Sequence, residues 1–369
     1  MTSLHRWLIV ALTTALAIGA PLTLRALPAS DSTSTPAERL DQLRASVNQP
    51  YSGYVESLGT LQLPVAAELD ALGPLFGERT RMRVWWNDST LWRVDRLTTT
   101  GEDDLIREGN ATTQWEYEGT NVTRTREPAV RLPRLSDLLP PELARYLFSD
   151  VDAADVSTLP SDRIAGRTAL GLRVTPSDAR SSVDRVDVWI DEASGIPLRL
   201  SLFAAGSTNP ALTSTFLDFA PGASSPDVFD FHRPRGSTVD RPQVVDVADA
   251  ANRFAPFRPP TTVAGLPRSA AGNLRGVAVY GAGLTQVLVI PLWNDIADPL
   301  RNQLADTPTV VQLTQGLALS VGPLDILLTH FPRSDGGWLI AGTVTADTLD
   351  QVAIDLRGAR VSPPTVAGG

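Results

Sequence analysis

The sequence contains no cysteine and no lysine; its 32 basic residues are all arginine. The first absence excludes disulfides, thiolate zinc sites, iron–sulfur clusters, thiol nucleophiles and lipid attachment through an N-terminal cysteine. The second removes the phosphate-gripping lysine of Walker A loops, Schiff-base chemistry and serine–lysine dyads. Histidine is scarce too: His5, His232 and His330 are the whole supply. A serine hydrolase would need one of them beside a Gly-x-Ser-x-Gly elbow, and the chain has no such elbow. His232 and His330 read as structural. Metal ligation would need a histidine cluster or a dense carboxylate loop, and Glu102-Asp103-Asp104 reads instead as a solvated acidic turn. A glycosidase needs only two carboxylates, so a chain with 41 acidic residues leaves that class open by counting. No cofactor motif is present. The balance of composition points to a protein that is not an enzyme.

The 41 acidic residues outnumber the basic ones and give a net charge of -9, the wrong sign for a nucleic-acid binder. With 369 residues, 43% of them hydrophobic, the chain is long enough to bury two domain cores.

Arg6 precedes an apolar run from Trp7 to Leu24. The run reads as the core of an export signal, and its length of about 18 residues is also near the minimum for a membrane span. Pro21 follows Ala20, and Leu stands two residues before both Ala26 and Ala29, so no good cleavage site is evident. Residues 1–28 are therefore either a cleaved signal or a retained anchor. Both readings place the rest outside the cytoplasmic membrane, in the periplasm or cell envelope, membrane-associated if the segment is uncleaved.

Beyond a polar linker, Leu40, Leu43 and Val47 recur at helical spacing from Pro36 onward. Tyr51–Leu63 alternates as a strand, and Val65–Leu75 reads as a short helix. A meander follows: Arg79–Asn87, Leu91–Leu97, Leu105–Glu108, Thr112–Glu118 and Val122–Arg126, separated by Gly-Asn and Gly-Thr-Asn turns. Leu135–Phe148 is a helical interruption broken at Pro140-Pro141. Strands resume at Ala169–Thr175, Val183–Asp191, Ile196–Ala204 and Leu212–Phe219. Proline and arginine then accumulate over 233–265, which reads as a linker with a short helix near Val244–Phe254. A second unit over 266–356 has strands at Gly276–Tyr280, Leu284–Pro291, Val310–Leu313, Leu317–Val321, Asp325–Phe331 and Trp338–Val344. Helices are expected at Ile296–Leu304 and Thr345–Leu356, and 357–369 reads as a disordered tail.

The period-two pattern sorts side chains by face. Met82, Val84 and Trp86 oppose Arg81, Arg83 and Trp85; Val186, Val188 and Ile190 oppose Arg185, Asp187 and Trp189. Such a sheet is antiparallel and apolar on one side only, and it must cover that side with helices, close on itself or hold a ligand.

The first unit resembles the LolA/LolB lipoprotein-carrier superfamily. The resemblance rests on the leading helix, the strand Tyr51–Gly59, the hairpin of Arg79–Asn87 with Leu91–Leu97, and Asp191-Glu-Ala-Ser194-Gly195-Ile-Pro197. Phe229-Asp230-Phe231 with the nearby Pro234 closes the unit in the same manner. The second unit is similar to the C-terminal domain of RseB/MucB proteins. Val279-Tyr280-Gly281-Ala282-Gly283-Leu284-Thr285 leads into a strand as their Tyr-Ser-Asp-Gly-Leu-Ala segment does, although Gly281-Ala282 replaces Ser-Asp. Gly337–Ala353 resembles the strand and helix that end that domain.

The resemblance, spanning about residues 40 to 356, implies a mainly β, α+β protein: a curved, half-open antiparallel sheet with a helical plug, plus a smaller C-terminal α+β domain. It implies that the concave face takes acyl chains of a lipid or lipoprotein, and that a membrane anti-sigma factor is the protein partner. The alternative is a lipid or lipoprotein carrier, or envelope chaperone, without a regulatory role. An acyl chain needs a dry apolar surface. The candidate lining is Met82, Val84, Trp86, Trp92, Val94, Trp115, Tyr117, Val186, Val188, Ile190, Leu198 and Leu200, with Leu138 and Leu139 in the lid. The same residues would equally make an ordinary filled core. Arg79, Arg81, Arg83, Arg93 and Arg96 suit either anionic head groups or a solvated, acid-paired strand face.

Overall fold

The structure is a computed structural model that describes residues 32–60, 76–127, 131, 133–240, 259–269, 277–305, 309–329, 336–357 and 359. The N-terminal apolar run, the helices expected at 65–75 and 244–254, His330 and the tail past 359 lie outside the described residues. No helix among the described residues is long and apolar enough to cross a membrane.

Helix α1 (Pro36–Ala45) opens the described chain. Thr35 caps it, its hydroxyl accepting from the Glu38 amide while the Glu38 carboxylate accepts from the Thr35 amide. Twelve strands build the first sheet, and a short plug packs against it. Strands β1 (Tyr51–Gly59), β2 (Arg79–Asp88), β3 (Leu91–Leu97), β4 (Glu102–Glu108), β5 (Ala111–Glu116) and β6 (Asn121–Arg126) form one meander. The plug follows: a 3₁₀ turn (Leu135–Leu138), then helix α2 (Pro140–Leu147). A second meander comprises β7 (Val156–Ile164), β8 (Arg167–Val174), β9 (Val183–Asp191), β10 (Pro197–Ala204) and β11 (Leu212–Pro221). The two meanders join where β1 pairs with β11, Tyr51 opposite Pro221 and Gly59 opposite Leu212. The sheet is curved and open, with edges that do not meet.

Two strands fall where composition suggested none. Strand β7 carries Pro160 and a bulge between Leu159 and Asp162, and it is an edge strand, the one place where a missing N–H costs the ladder nothing. Strand β12 (Thr238–Asp240), inside the expected linker, runs parallel to β6 and forms the other edge.

The second unit begins within the expected linker as well, with the small hairpin β13 (Thr262–Val263) and β14 (Leu266–Pro267). Its six-stranded sheet contains β15 (Ala278–Ala282), β16 (Thr285–Trp293), β17 (Val311–Gln312), β18 (Gly316–Val321), β19 (Leu324–Thr329) and β20 (Gly336–Gly342). Helix α3 (Asn294–Ala305) and helix α4 (Ala346–Leu356) pack on it. Trp338, Ile340, Leu349, Val352 and Leu356 share its core with Val263 and Leu266 of the small hairpin.

The Asp191–Pro197 motif is structural. Asp191 is 1% exposed; its carboxylate accepts from the Arg167 guanidinium and from the Ser194 amide and hydroxyl, fixing the turn between β9 and β10. Gly195 takes φ +74°, and a Cβ there would stand 2.6 Å from the Gln42 carbonyl of α1, so the turn and the helix docking both require glycine.

Candidate functional site: the plugged concave face

Residues directly opposite on neighbouring strands point to the same side of a sheet. Trp86 faces Trp92, and Val84 faces Val94, across β2 and β3. Val186 and Val188 face Leu202 and Leu200, and Ile190 faces Pro197, across β9 and β10. All of these expected lining residues are buried on the concave side, at 0 to 3% exposure for Met82, Val84, Trp86, Trp92, Val94, Val186, Val188, Ile190, Leu198 and Leu200. They form two lobes. Met82, Val84, Trp86, Trp92, Val94 and Leu198 pack with Tyr51, Val55 and Phe216 against Leu138 and Leu139 of the plug. Val186, Val188, Ile190 and Leu200 pack with Leu40 and Leu43 of α1 and Ala144 and Phe148 at α2.

Two expected lining residues lie elsewhere. Trp115 is opposite Asp104 across β4 and β5, which puts it on the convex side, where it packs against Phe231 at 6.3 Å between ring centres. Tyr117, of the same parity but past the end of β5, is 56% exposed and lies against Gly101. The concave positions of β5 and β6 are instead Thr112, Gln114, Glu116, Asn121, Thr123 and Thr125. The concave face is thus apolar over most of its width and polar at the β4–β6 wing.

The apolar part is organised around flat rings. Trp92 and Trp86 stack at 5.4 Å with an interplanar angle of 0°, Trp86 and Tyr51 at 6.0 Å with 3°, and Tyr51 and Phe219 at 6.4 Å with 28°. An arginine closes each end: Arg134 lies 4.9 Å from the Trp92 ring centre, and Arg167 lies 5.6 Å from that of Phe219. Arg134 comes from the approach to the plug, so this ladder runs from the plug's entrance across the sheet.

Few polar bonds hold the plug down. The Ser214 hydroxyl of β11 donates to the Leu138 carbonyl at 2.5 Å. Asp137 accepts from both terminal nitrogens of Arg131 and from the Arg134 amide. Glu127 accepts from Arg107, Arg131 and Arg134, and that convergence of guanidinium groups holds its carboxyl below the usual range despite burial. On α2, Glu142 is 5% exposed and pairs with Arg145; burial nevertheless pushes its carboxyl up. Beneath α2, the Tyr51 hydroxyl is buried with no hydrogen-bond partner among the described residues, and burial followed by the Glu142 charge pushes its pKa up. Leu139, in extended conformation, separates the 3₁₀ turn from α2, which starts at Pro140-Pro141.

The acidic run is strand rather than turn. Asp104 lies in β4 opposite Asp95 of β3, and Arg93 bridges the two carboxylates at 2.7 and 2.8 Å. Burial, then the Asp95 charge, pushes Asp104 up to about 7. Glu102 completes a carboxylate group whose oxygens lie within 4.8 Å of one another. The arginines of this convex face are largely acid-paired, Arg81 with Glu56 and Arg83 with Glu102, whereas Arg96, opposite Met82, pairs with Asp103 on the concave side. His232 is exposed, and its Nδ1 lies 3.3 Å from the Asp230 carbonyl.

The two units touch through the motif at the β15–β16 turn. Leu284, 5% exposed, enters the first unit's core beside Val151, Val156 and Val174. Ser181 bridges Val344, and the Thr345 amide donates to the Arg180 carbonyl at 2.8 Å. Beside this contact is a cleft of about 300 Å³ lined by Asp150, Asp152, Asp155, Asp178, Arg180 and the turn Gly281–Thr285.

No protein-family model matches the chain, and no curated protein matches it in sequence. Solved structures do. The MucA/MucB complex of Pseudomonas aeruginosa matches with a TM-score of 0.49 at 17% identity, over 86% of this chain and 96% of that one. A structure of MucB alone matches with a TM-score of 0.46 at 16% identity, over 89% and 98%. A LolA superfamily protein from Nitrosomonas europaea matches at 0.24 and 11% identity, over 54% of this chain and 99% of that one. The chain is similar to MucB and, more distantly, to this LolA superfamily protein. The MucB likeness extends through both units, and the LolA likeness covers about half the chain.

Proposed function

We propose that this is a non-enzymatic cell-envelope protein whose first unit takes the acyl chain of a lipid or lipoprotein beneath its plug, and whose second unit relays that occupancy to a membrane protein partner such as an anti-sigma factor. The reading of residues 1–28 as export signal or anchor supports the location. The observation that carries the binding half is the plugged concave face. Its surface is apolar over most of its width, yet its cover is a broken helix held by a handful of polar bonds. Lifting such a cover exposes a continuous apolar trough, and each CH₂ then buried by a ligand returns about 0.8 kcal/mol. In the closed state the plug's own Leu138 and Leu139 fill the trough, so the cover and the ligand compete.

The regulatory half is supported by the position of Leu284. A residue from the second unit sits in the lobe that α1 and α2 also cover. Displacing α2 changes the packing around Leu284, and that connects the trough to whatever the second unit binds.

Native mass spectrometry of the chain from residue 32 onward, purified from a membrane-containing host and then mixed with phospholipid, tests the binding half. A lipid adduct that is lost on Trp86→Asp with the fold retained by circular dichroism supports it. A clean protein mass with no lipid uptake overturns it and leaves a filled core.

A further inference from the structure

The convex side of the sheet holds a second recess, unconnected with the plug. Two rows of outward side chains cross the junction of β11, β1 and β2: Ala220, Ser52 and Trp85 in one, Asp218, Tyr54 and Arg83 in the next. Small residues stand between large ones, and the result is a shallow cleft of about 430 Å³. Its walls are oriented from behind. The Arg93 guanidinium lies 5.7 Å from the Trp85 ring centre, and Glu102 holds Arg83 at 2.7 Å. Asp218 is exposed at the opposite end, beside the bulge that interrupts the β1–β11 ladder.

The chemistry of these groups selects the occupant. From Tyr51 to Tyr54 the β1 backbone is paired on both sides, with β11 and with β2. A peptide strand arriving here finds no free main-chain N–H or C=O to pair with. Recognition must come from ring faces and side-chain forks. A pyranose ring meets that requirement. Its C–H face stacks on the electron-rich face of an indole or phenol. Its hydroxyls donate to a carboxylate and accept from a guanidinium in bidentate fashion.

We propose that the cleft between Trp85, Tyr54, Arg83 and Asp218 is a saccharide-binding site on the outer face of the first unit, independent of the acyl trough. The ligand is a short chain of pyranose sugars, and Trp85 supplies the stacking platform.

The test is a titration of the purified protein with triacetylchitotriose and, separately, with maltotriose, followed by the tryptophan indole N–H resonances. The Trp85 resonance is assigned by its loss in Trp85→Phe. The expected result is a saturable shift of the Trp85 resonance with one of the two sugars. Trp85→Ala and Asp218→Asn should each weaken the affinity about tenfold, a loss the size of one stacking or charge-assisted contact. Asp218 is exposed on a strand surface, so its variant retains the fold and keeps the test decisive if Trp85→Ala does not. No saturable shift with either sugar overturns the proposal. So does a shift that survives undiminished in Asp218→Asn, or one confined to the resonances of Trp86 and Trp92 on the concave side.

Discussion

The guanidinium of Arg134 lies 4.9 Å from the ring centre of Trp92, so the residue that leads into the plug is the first rung of the aromatic ladder beneath it. The same guanidinium donates to Glu127 at 2.8 Å. One side chain therefore ties the plug's entrance to the sheet by both charge and ring contact. Arg134→Ala should free the plug's entrance at a cost of about 1–2 kcal/mol. Hydrogen exchange across 135–147 is the measurement: faster exchange there, with β8–β10 unchanged, is the expected result.

Ser214→Ala removes the hydroxyl that donates to the Leu138 carbonyl and leaves that buried carbonyl without its partner. The expected cost is about 1–3 kcal/mol, borne by the closed state. If the plug and a lipid compete for the trough, the variant takes up phospholipid faster than the parent in a stopped-flow assay. Slower or unchanged uptake would separate the plug from ligand entry.

Asp104 gives a pH dependence with a definite sign. Its carboxyl ionises near 7 in the folded chain and at its ordinary lower value when unfolded. Between these values the folded state holds the extra proton, so this group's contribution to stability falls as pH rises from about 4 to 7. Asp104→Asn keeps the site neutral at every pH. Its Tm relative to the parent should be lowest near pH 4 and rise toward pH 8, read by calorimetry at fixed ionic strength. A relative Tm that falls toward pH 8 would contradict the assignment.

Leu284→Ala deletes the one buried apolar side chain of the β15–β16 turn that enters the first unit's core. Leu-to-Ala changes in cores cost about 2–5 kcal/mol, here charged to the contact between units. Calorimetry should show one transition splitting into two. A single unchanged transition would mean that the Ser181–Val344 bridge suffices.

Gly195→Ala should destabilise the first unit by about 1 kcal/mol or more through backbone conformation alone, with further loss because its Cβ would stand 2.6 Å from the Gln42 carbonyl. Urea denaturation gives the value, and the loss should fall on the docking of α1.

Much of this was legible in the alternation of residues. Strand β2 shows its inner and outer faces in sequence because Met82, Val84 and Trp86 stand on one parity and Arg79, Arg81 and Arg83 on the other. The same rule misplaced Trp115 and Tyr117. In β5 the aromatic parity faces outward and the concave parity is polar, and only the register with Asp104 reveals the switch. The convex side there is covered by the chain after β11, whose Val228 carbonyl accepts from Arg93; that cover buries Trp115, Ile106 and Asp104, and no local pattern announces it. Strand β7 was hidden by Pro160, a signal against a central strand that says nothing against an edge. The broken plug was readable at Pro140-Pro141. The insertion of Leu284 into a distant core was not, since its neighbours lie over a hundred residues away in sequence.

The β1–β11 pairing also dictates how this sheet is assembled in time. Each meander can form as its hairpins emerge, since its contacts are local. The seam between them pairs Tyr51 with Pro221, the first strand with almost the last of the sheet. Its loop-closure entropy falls due only when both meanders exist. Until then β1 and β11 are open edges flanking an uncovered apolar surface. At that stage apolar surface and two strand edges are exposed together, so aggregation competes with the closing of the seam.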